Sequence, residues 1–389
     1  MRHVIRLMAA IVAMSSCCLC GNALATSEAE GEIAWIGFAG PLTSAFEPSV
    51  RFARSLSQAV QLAIDAANQQ KTRINGREVT FRLLPQDDRS DLRTAPLVAD
   101  YLVKRGVVGV IGHGNTGTTM AAAAVYHRAN VALLSPSSSG RAYTQQGYSN
   151  VFRTIGHSDR GGEYLGQHVV RTLGMKRIVV IDNGAPAGRA FAERFAQAAR
   201  AQGAEILSHD SVSDKTSDFN GILNSARSHQ PDAIFWGGLN DQAIVLAQSM
   251  QRLQLAMPLI SGANGMVGPV FIEKAGPVAN TIIALEAGQP MERLKGWKNF
   301  QRSYEKEFGA YIDPYAPFAF DAAQALIAAV RQANSLDPAK VVAALHEVRF
   351  NGLTGPIAFN AEGDLQAPSF SIYTLRGQQW QFQQTIGDR

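Results

Sequence analysis

The hydrophobic positions of this chain switch repeatedly between two periods. Short runs that are apolar or rich in β-branched residues, at 32–38, 77–84, 107–111 and 131–134, predict strands. Between them, apolar residues at helical spacing, such as Ala53, Leu56, Val60, Ala63 and Ala67, predict helices near 50–69, 91–105 and 119–128. The resulting order, β-α-β-α-β-α-β, is that of a doubly wound parallel sheet. After Tyr148 the alternation restarts. Residues 151–155 read as a short apolar connector; strands are expected at 177–181, 204–211, 232–236 and 258–260, with helices at 159–173, 188–202, 218–228 and 240–253. Residues 105–115 and 230–240 share one layout of helix end, apolar strand, glycine turn, asparagine and helix, which suggests two lobes of the same build. The tail breaks the pattern. Three helical segments at 291–308, 314–333 and 338–348 precede short strand candidates at 355–360, 370–375 and 380–386, and those helices are expected to pack on the first lobe.

Two turns stand out. Gly112, Gly114 and Gly117 follow the strand at 107–111 and carry Asn115, Thr116 and Thr118 as capping candidates. The next strand ends in Ser135-Pro136 and the hydroxyls of Ser137, Ser138 and Ser139. A parallel sheet presents both turns at its carboxyl edge, where ligands bind in open α/β folds. The glycines also fit a dinucleotide fingerprint, yet the acid expected about 20 residues later is absent, and serines stand there instead.

Composition narrows the chemistry. Of 389 residues, 46% are hydrophobic, enough for one large or two ordinary α/β domains. Residues 1–25 read as a cleavable secretory signal: Arg2 and Arg6, an apolar run over 7–19, and Ala23-Leu24-Ala25 before Thr26. Cys17, Cys18 and Cys20 all lie within it, so the mature chain is expected to lack disulfides and thiolate metal ligands. Without the two arginines, 34 basic residues face 32 acidic ones, which is no nucleic-acid footprint. His113, His127, His157, His168, His209, His229 and His346 are scattered, with no metal-ligand spacing. His113 reads as a hydrogen-bonding wall of the glycine turn, Asp87 and Asp88 as caps or ligand-side polar groups, and Phe235 and Trp236 as core. No cofactor, metal or catalytic constellation is expected.

In order along the chain come Gly40-Pro41-Leu42-Thr43, Asp87-Asp88, Val110-Ile111-Gly112-His113, Ser135-Pro136-Ser137-Ser138, Phe152-Arg153-Thr154, Gly237-Gly238, Gly262-Ala263-Asn264-Gly265, Gly355-Pro356 and Gly363-Asp364. Through these motifs the chain resembles the type I periplasmic solute-binding proteins of the leucine/isoleucine/valine-binding family, the solute receptors of ABC importers. The resemblance implies an α/β fold of two Rossmann-like lobes, each a doubly wound parallel sheet, joined by three crossovers near 151–154, 281–285 and 355–359. It implies a first lobe of residues 26–152 plus 285–355 and a second of 153–284 plus 356–389. It further implies a monomeric, non-enzymatic, periplasmic protein that delivers a small molecule to ABC permease subunits in the inner membrane. A ligand-sensing module that signals to a partner protein without transport would share these features.

The family's carboxylate-holding hydroxyl falls on Thr116, and its Pro-then-small-residue loop on Ser137, Ser138 and Ser139. In the second lobe the ligand positions are Leu239, where a tyrosine is usual, and Asn264, where an acid that meets an α-ammonium is usual. Asp182 and Asp241 are placed to cap the helices after them rather than to replace that acid. The expected solute is therefore a carboxylate, an amide or a partly apolar molecule rather than free leucine, isoleucine or valine.

Overall fold

The structure is a computed structural model that describes residues 31–44, 47–213, 215–238, 240–262, 265–278, 281–309 and 311–387. The expected signal at 1–25, and both Leu239 and Asn264, lie outside the described residues.

In the first lobe the chain runs β1 (Glu32–Gly40), α1 (Glu47–Asn68), β2 (Arg73–Ile74), β3 (Arg77–Asp87), α2 (Thr94–Lys104), β4 (Gly109–Gly112), α3 (Thr116–Arg128), β5 (Ala132–Ser135) and β6 (Val151–Arg153). The sheet order is β2-β3-β1-β4-β5-β6, parallel throughout except for the β2–β3 hairpin. That hairpin turns on Asn75-Gly76, both at positive φ, as a two-residue primed turn requires. β4 and β5 are buried at every position because helices cover both faces, which is why their sequences show no alternation.

The second lobe follows: α4 (Ser158–Arg171), β7 (Arg177–Asp182), α5 (Pro186–Ala201), β8 (Glu205–Ser211), α6 (Asn220–Ser228), β9 (Ala233–Gly237), α7 (Asn240–Arg252), β10 (Leu259–Ser261), α8 (Pro269–Ala275) and β11 (Ile282–Ala287). Its sheet runs β15-β14-β11-β10-β9-β7-β8, where β14 (Ser369–Arg376) and β15 (Gln379–Gly387) form an antiparallel hairpin on the edge of the parallel strands. Phe235 and Trp236 are wholly buried, so they are core, as expected.

Between β11 and β14 the chain returns through α9 (Trp297–Phe308), α10 (Ala316–Ala333) and α11 (Pro338–Glu347), then a small ladder of β12 (Arg349–Asn351) and β13 (Pro356–Ala358). These helices share the first lobe's core: Trp297, Leu326 and Leu345 cluster with Ile36, Val60 and Ile111. Gly109 makes this possible, because a Cβ there would lie 2.5 Å from Leu326 Cδ1.

Three expectations shift. Residues 151–155 are not a connector at their start, since β6 pairs with β5 as the sixth strand. All but the first residue of the crossover placed at 281–285 belongs to β11, whose apolar run pairs with β10 and β14; the chain leaves that sheet only after Ala287. Likewise Ile357 and Phe359 are buried in the first lobe's core, so the third crossing follows Phe359 rather than occupying 355–359.

Candidate functional site

β1, β3, β4 and β5 all end at one edge, and their turns interlock there. At the end of β3, Asp87 Oδ1 accepts the N–H groups of Leu42 (2.9 Å) and Arg89 (3.0 Å), and Oδ2 accepts the Thr43 hydroxyl. Those bonds hold the Asp87 carboxyl below the usual carboxylate range although burial opposes it. Asp88 accepts from Ser90 N and lies 2.7 Å from His113 Nδ1, with both side chains fully buried. His113 is thus a wall group rather than a free base, and the aspartates organise the turn. The glycine requirement at 112 is steric: φ is +143°, and a Cβ would fall 2.2 Å from Ala39 O.

Past that turn, Asn115 caps α3 by accepting Thr118 N–H at 3.0 Å, so Thr116 stands in the first turn of the helix. The serine turn is folded onto it. Gly140 N–H donates to Thr116 Oγ1 (3.1 Å), and Ser137 Oγ donates to Gly114 O (3.1 Å). Gly140 permits this approach, because a Cβ there would meet Thr116 Cγ2 at 2.7 Å. Thr116, Ser137 and Ser139 therefore lie together, each partly exposed. No partner for the Ser139 hydroxyl is found among the described residues. Ser138 departs from its expected role: it is buried, and its hydroxyl is 2.7 Å from Thr119 Oγ1, so it braces the turn from inside.

Sequence reasoning named Phe152-Arg153-Thr154 only as a motif. The structure gives Arg153 a task. Fully buried, it donates to the carbonyls of Ser138 (2.7 Å) and Gly140 (3.1 Å) and to Thr144 Oγ1 (3.0 Å), while its Nε lies 2.8 Å from Asp364 Oδ1. Arg141 pairs with Asp364 and Glu362. Burial draws the Arg153 pKa down to about 10, so it stays charged at neutral pH. One arginine thus ties the serine turn to the segment that begins the third crossing.

On the second sheet, Asp182 is fully buried and taken up by His209 Nε2 (2.9 Å), Ser211 Oγ (3.0 Å) and Gly184 N (2.7 Å). Asp241 has a side chain 84% exposed beside Lys274. Asp182 is thus committed to its own turn, and Asp241 stands in the first turn of α7. The acid that the sequence reading missed is Glu286, near the end of β11. Its Oε2 accepts Gly265 N and its Oε1 accepts Val267 N, each at 3.0 Å. Burial pushes its pKa up to about 7. Only the adjacency of β10 and β11 brings these residues together, and sequence spacing carries no sign of it. A cavity of about 700 Å³ lined by Tyr164, His168, Arg171 and Gln384 lies elsewhere and contains none of the expected ligand residues.

The family description "periplasmic binding protein" matches residues 35–378. Leu/Ile/Val-binding protein homolog 1 of Brucella suis is 27% identical over 358 residues, 91% of this chain and 94% of the relative. Among solved structures, a branched-chain amino acid substrate-binding protein from Streptococcus pneumoniae in complex with isoleucine superposes with a TM-score of 0.76 at 20% identity, covering 92% of this chain and 100% of that one. A solute-binding protein from R. palustris in complex with 4-hydroxybenzoate gives 0.75 at 17% identity, covering 92% and 98%. One fold therefore serves both kinds of solute.

Proposed function

The chain belongs to the periplasmic binding protein family, and from that premise we propose that it captures a small carboxylate, amide or partly apolar solute between its lobes for an ABC-type permease. The observation that carries this reading is the pairing of Thr116 with the serine turn. A hydroxyl already accepting Gly140 N–H still has its own proton to donate, and the nearby Ser139 hydroxyl has no partner among the described residues. Together with the N–H groups of the first turn of α3, they form a donor-rich corner suited to a carboxylate or carbonyl oxygen. Export through cleavage after Ala25, and a binding rather than catalytic role, belong to the same proposal. Among the described residues no helix is long and apolar enough to cross a membrane, and no cluster of three or more metal-ligating side chains is found.

The family's named solutes include branched-chain amino acids and aromatic acids, and the second-lobe residues favour the latter kind. Asn264 offers an ammonium only a neutral carbonyl, and Leu239 offers nothing polar. Glu286, the acid at this edge, has both carboxylate oxygens on the N–H groups of Gly265 and Val267, and an ammonium closed in without an acid of its own carries a penalty of several kcal/mol. The test is paired. A thermal-shift screen identifies the best solute, and calorimetry then compares wild type with the double variant Thr116→Ala, Ser139→Ala. Loss of hydrogen bonds to a charged group, about 1.5–3 kcal/mol, corresponds to roughly ten- to a hundred-fold weaker binding. Equal affinity in a folded double variant would remove the hydroxyl corner from the site.

A further inference from the structure

Glu286 is the acid that the second sheet places at its carboxyl edge without a cation. Among the described residues, no lysine, arginine or histidine forms an ion pair with it. Its two oxygens instead reach two backbone N–H groups of one loop, Gly265 and Val267. That loop leaves β10 at Ser261 and enters α8 at Pro269. It is held at several points. Gly262 admits the Phe191 ring, to which a Cβ would come within 2.2 Å, and Met266 is fully buried. Asn240 Nδ2, at the start of α7, donates to Gly265 O at 3.2 Å. The peptide groups around Gly265 are thus gripped from both sides, by Asn240 on the carbonyl and Glu286 on the N–H. Gly265 itself takes φ +81°, which makes this a tight turn that depends on its anchors.

We propose that Glu286 is the positioning residue of this loop: its ionised carboxylate clamps the N–H groups of residues 265 and 267, and taking up a proton loosens the clamp. Asn264, a ligand position in the function proposed above, immediately precedes the clamped residue in sequence. The role of residue 264 rests on the function proposed above; the clamp does not.

The physical case has two parts. N–H bonds to a carboxylate are roughly twice as strong as those to a neutral acceptor, so the ionised and protonated forms hold the loop differently. Burial, unrelieved by any cation, brings the carboxyl up to about 7 against the pull of the loop's N–H groups, so both forms exist near neutrality. The titratable groups facing it are the hydroxyl of Tyr315, ahead of α10, and that of Tyr373 on β14; each is pushed up by burial first and by Glu286 second. Glu292 and Arg293 lie further out, near Tyr373.

The experiment needs no solute, so its outcome is independent of the ligand proposal. Amide resonances of Gly265 and Val267 are followed by NMR on the purified, isotope-labelled protein from pH 5.5 to 8.5. Both amides are expected to titrate together with one midpoint near 7, and their hydrogen-exchange protection factors are expected to be at least tenfold higher at pH 8 than at pH 6. In Glu286→Gln the titration disappears. Should that variant fail to fold, the Glu286 side-chain carboxyl resonance in wild type must share the midpoint of the two amides. Amides that do not titrate, that titrate unchanged in the variant, or whose midpoint differs from that of the carboxyl would overturn the proposal.

Discussion

His157 shows how a single imidazole makes stability depend on pH. It caps α4 by accepting Arg160 N–H, and it is crowded by Arg153, Arg141, Arg160 and Arg194. Burial first, and these cations second, draw its pKa down to about 3. The folded state therefore keeps this imidazole neutral, whereas the unfolded chain protonates it near 6.5. Stability from this residue is complete at neutral pH and is lost as pH falls from about 6.5 toward 3. Asp321 and Glu286 act in the opposite sense: burial raises them to about 6 and 7, so their contribution falls as pH rises through 4–7. Comparing wild type with His157→Asn cancels those terms. Between pH 7 and pH 4.5 the urea midpoint of wild type should fall further than that of the variant; parallel curves would refute the assignment.

Among the elements, buried carboxylates tie α10 and the start of the third crossing to their neighbours. Asp364, 2% exposed, meets Arg153 and Arg141 and accepts from Thr144 Oγ1 at 2.8 Å; Asp321 accepts from Leu353 N and Thr354 N, both at 2.7 Å. Asp364→Asn would leave the buried Arg153 without its counter-charge, a loss of about 3–5 kcal/mol in urea unfolding. A loss below about 1 kcal/mol would mean that the carbonyls of Ser138 and Gly140 alone satisfy the guanidinium. This scale also shows what the sequence could reveal. Long amphipathic helices such as α1 and α5, and strands ending in glycine or serine turns, were legible because periodicity and turn chemistry agree there. β6 and β11 were read as linking chain. β6 is three residues long, and β11 is an apolar run whose partners, β10 and β14, are set only by tertiary pairing. In the candidate corner, the placement of Thr116 and Ser139 as hydroxyls after strands was legible. The inward turn of Ser138, the grip of Arg153 and the clamp of Glu286 were not, since each depends on which segments become neighbours.

The whole molecule is two lobes of the same design with extra helices completing the first and a hairpin completing the second. In the function proposed above, Thr116 and Ser139 supply a solute with a donor-rich corner, and the sequence offers only a leucine at 239 and an asparagine at 264 as its second-lobe partners. Ligand choice follows from the charge each side can meet. The most direct measurement is calorimetric titration of the purified protein with leucine and, in parallel, with carboxylic acids and amides that lack an ammonium, 4-hydroxybenzoate among them. Leucine should give no saturable heat below millimolar concentration. At least one ammonium-free solute should bind, and at 100 times its Kd it should add about 2.7 kcal/mol of stability in a parallel melt. Sub-micromolar binding of leucine would contradict the account.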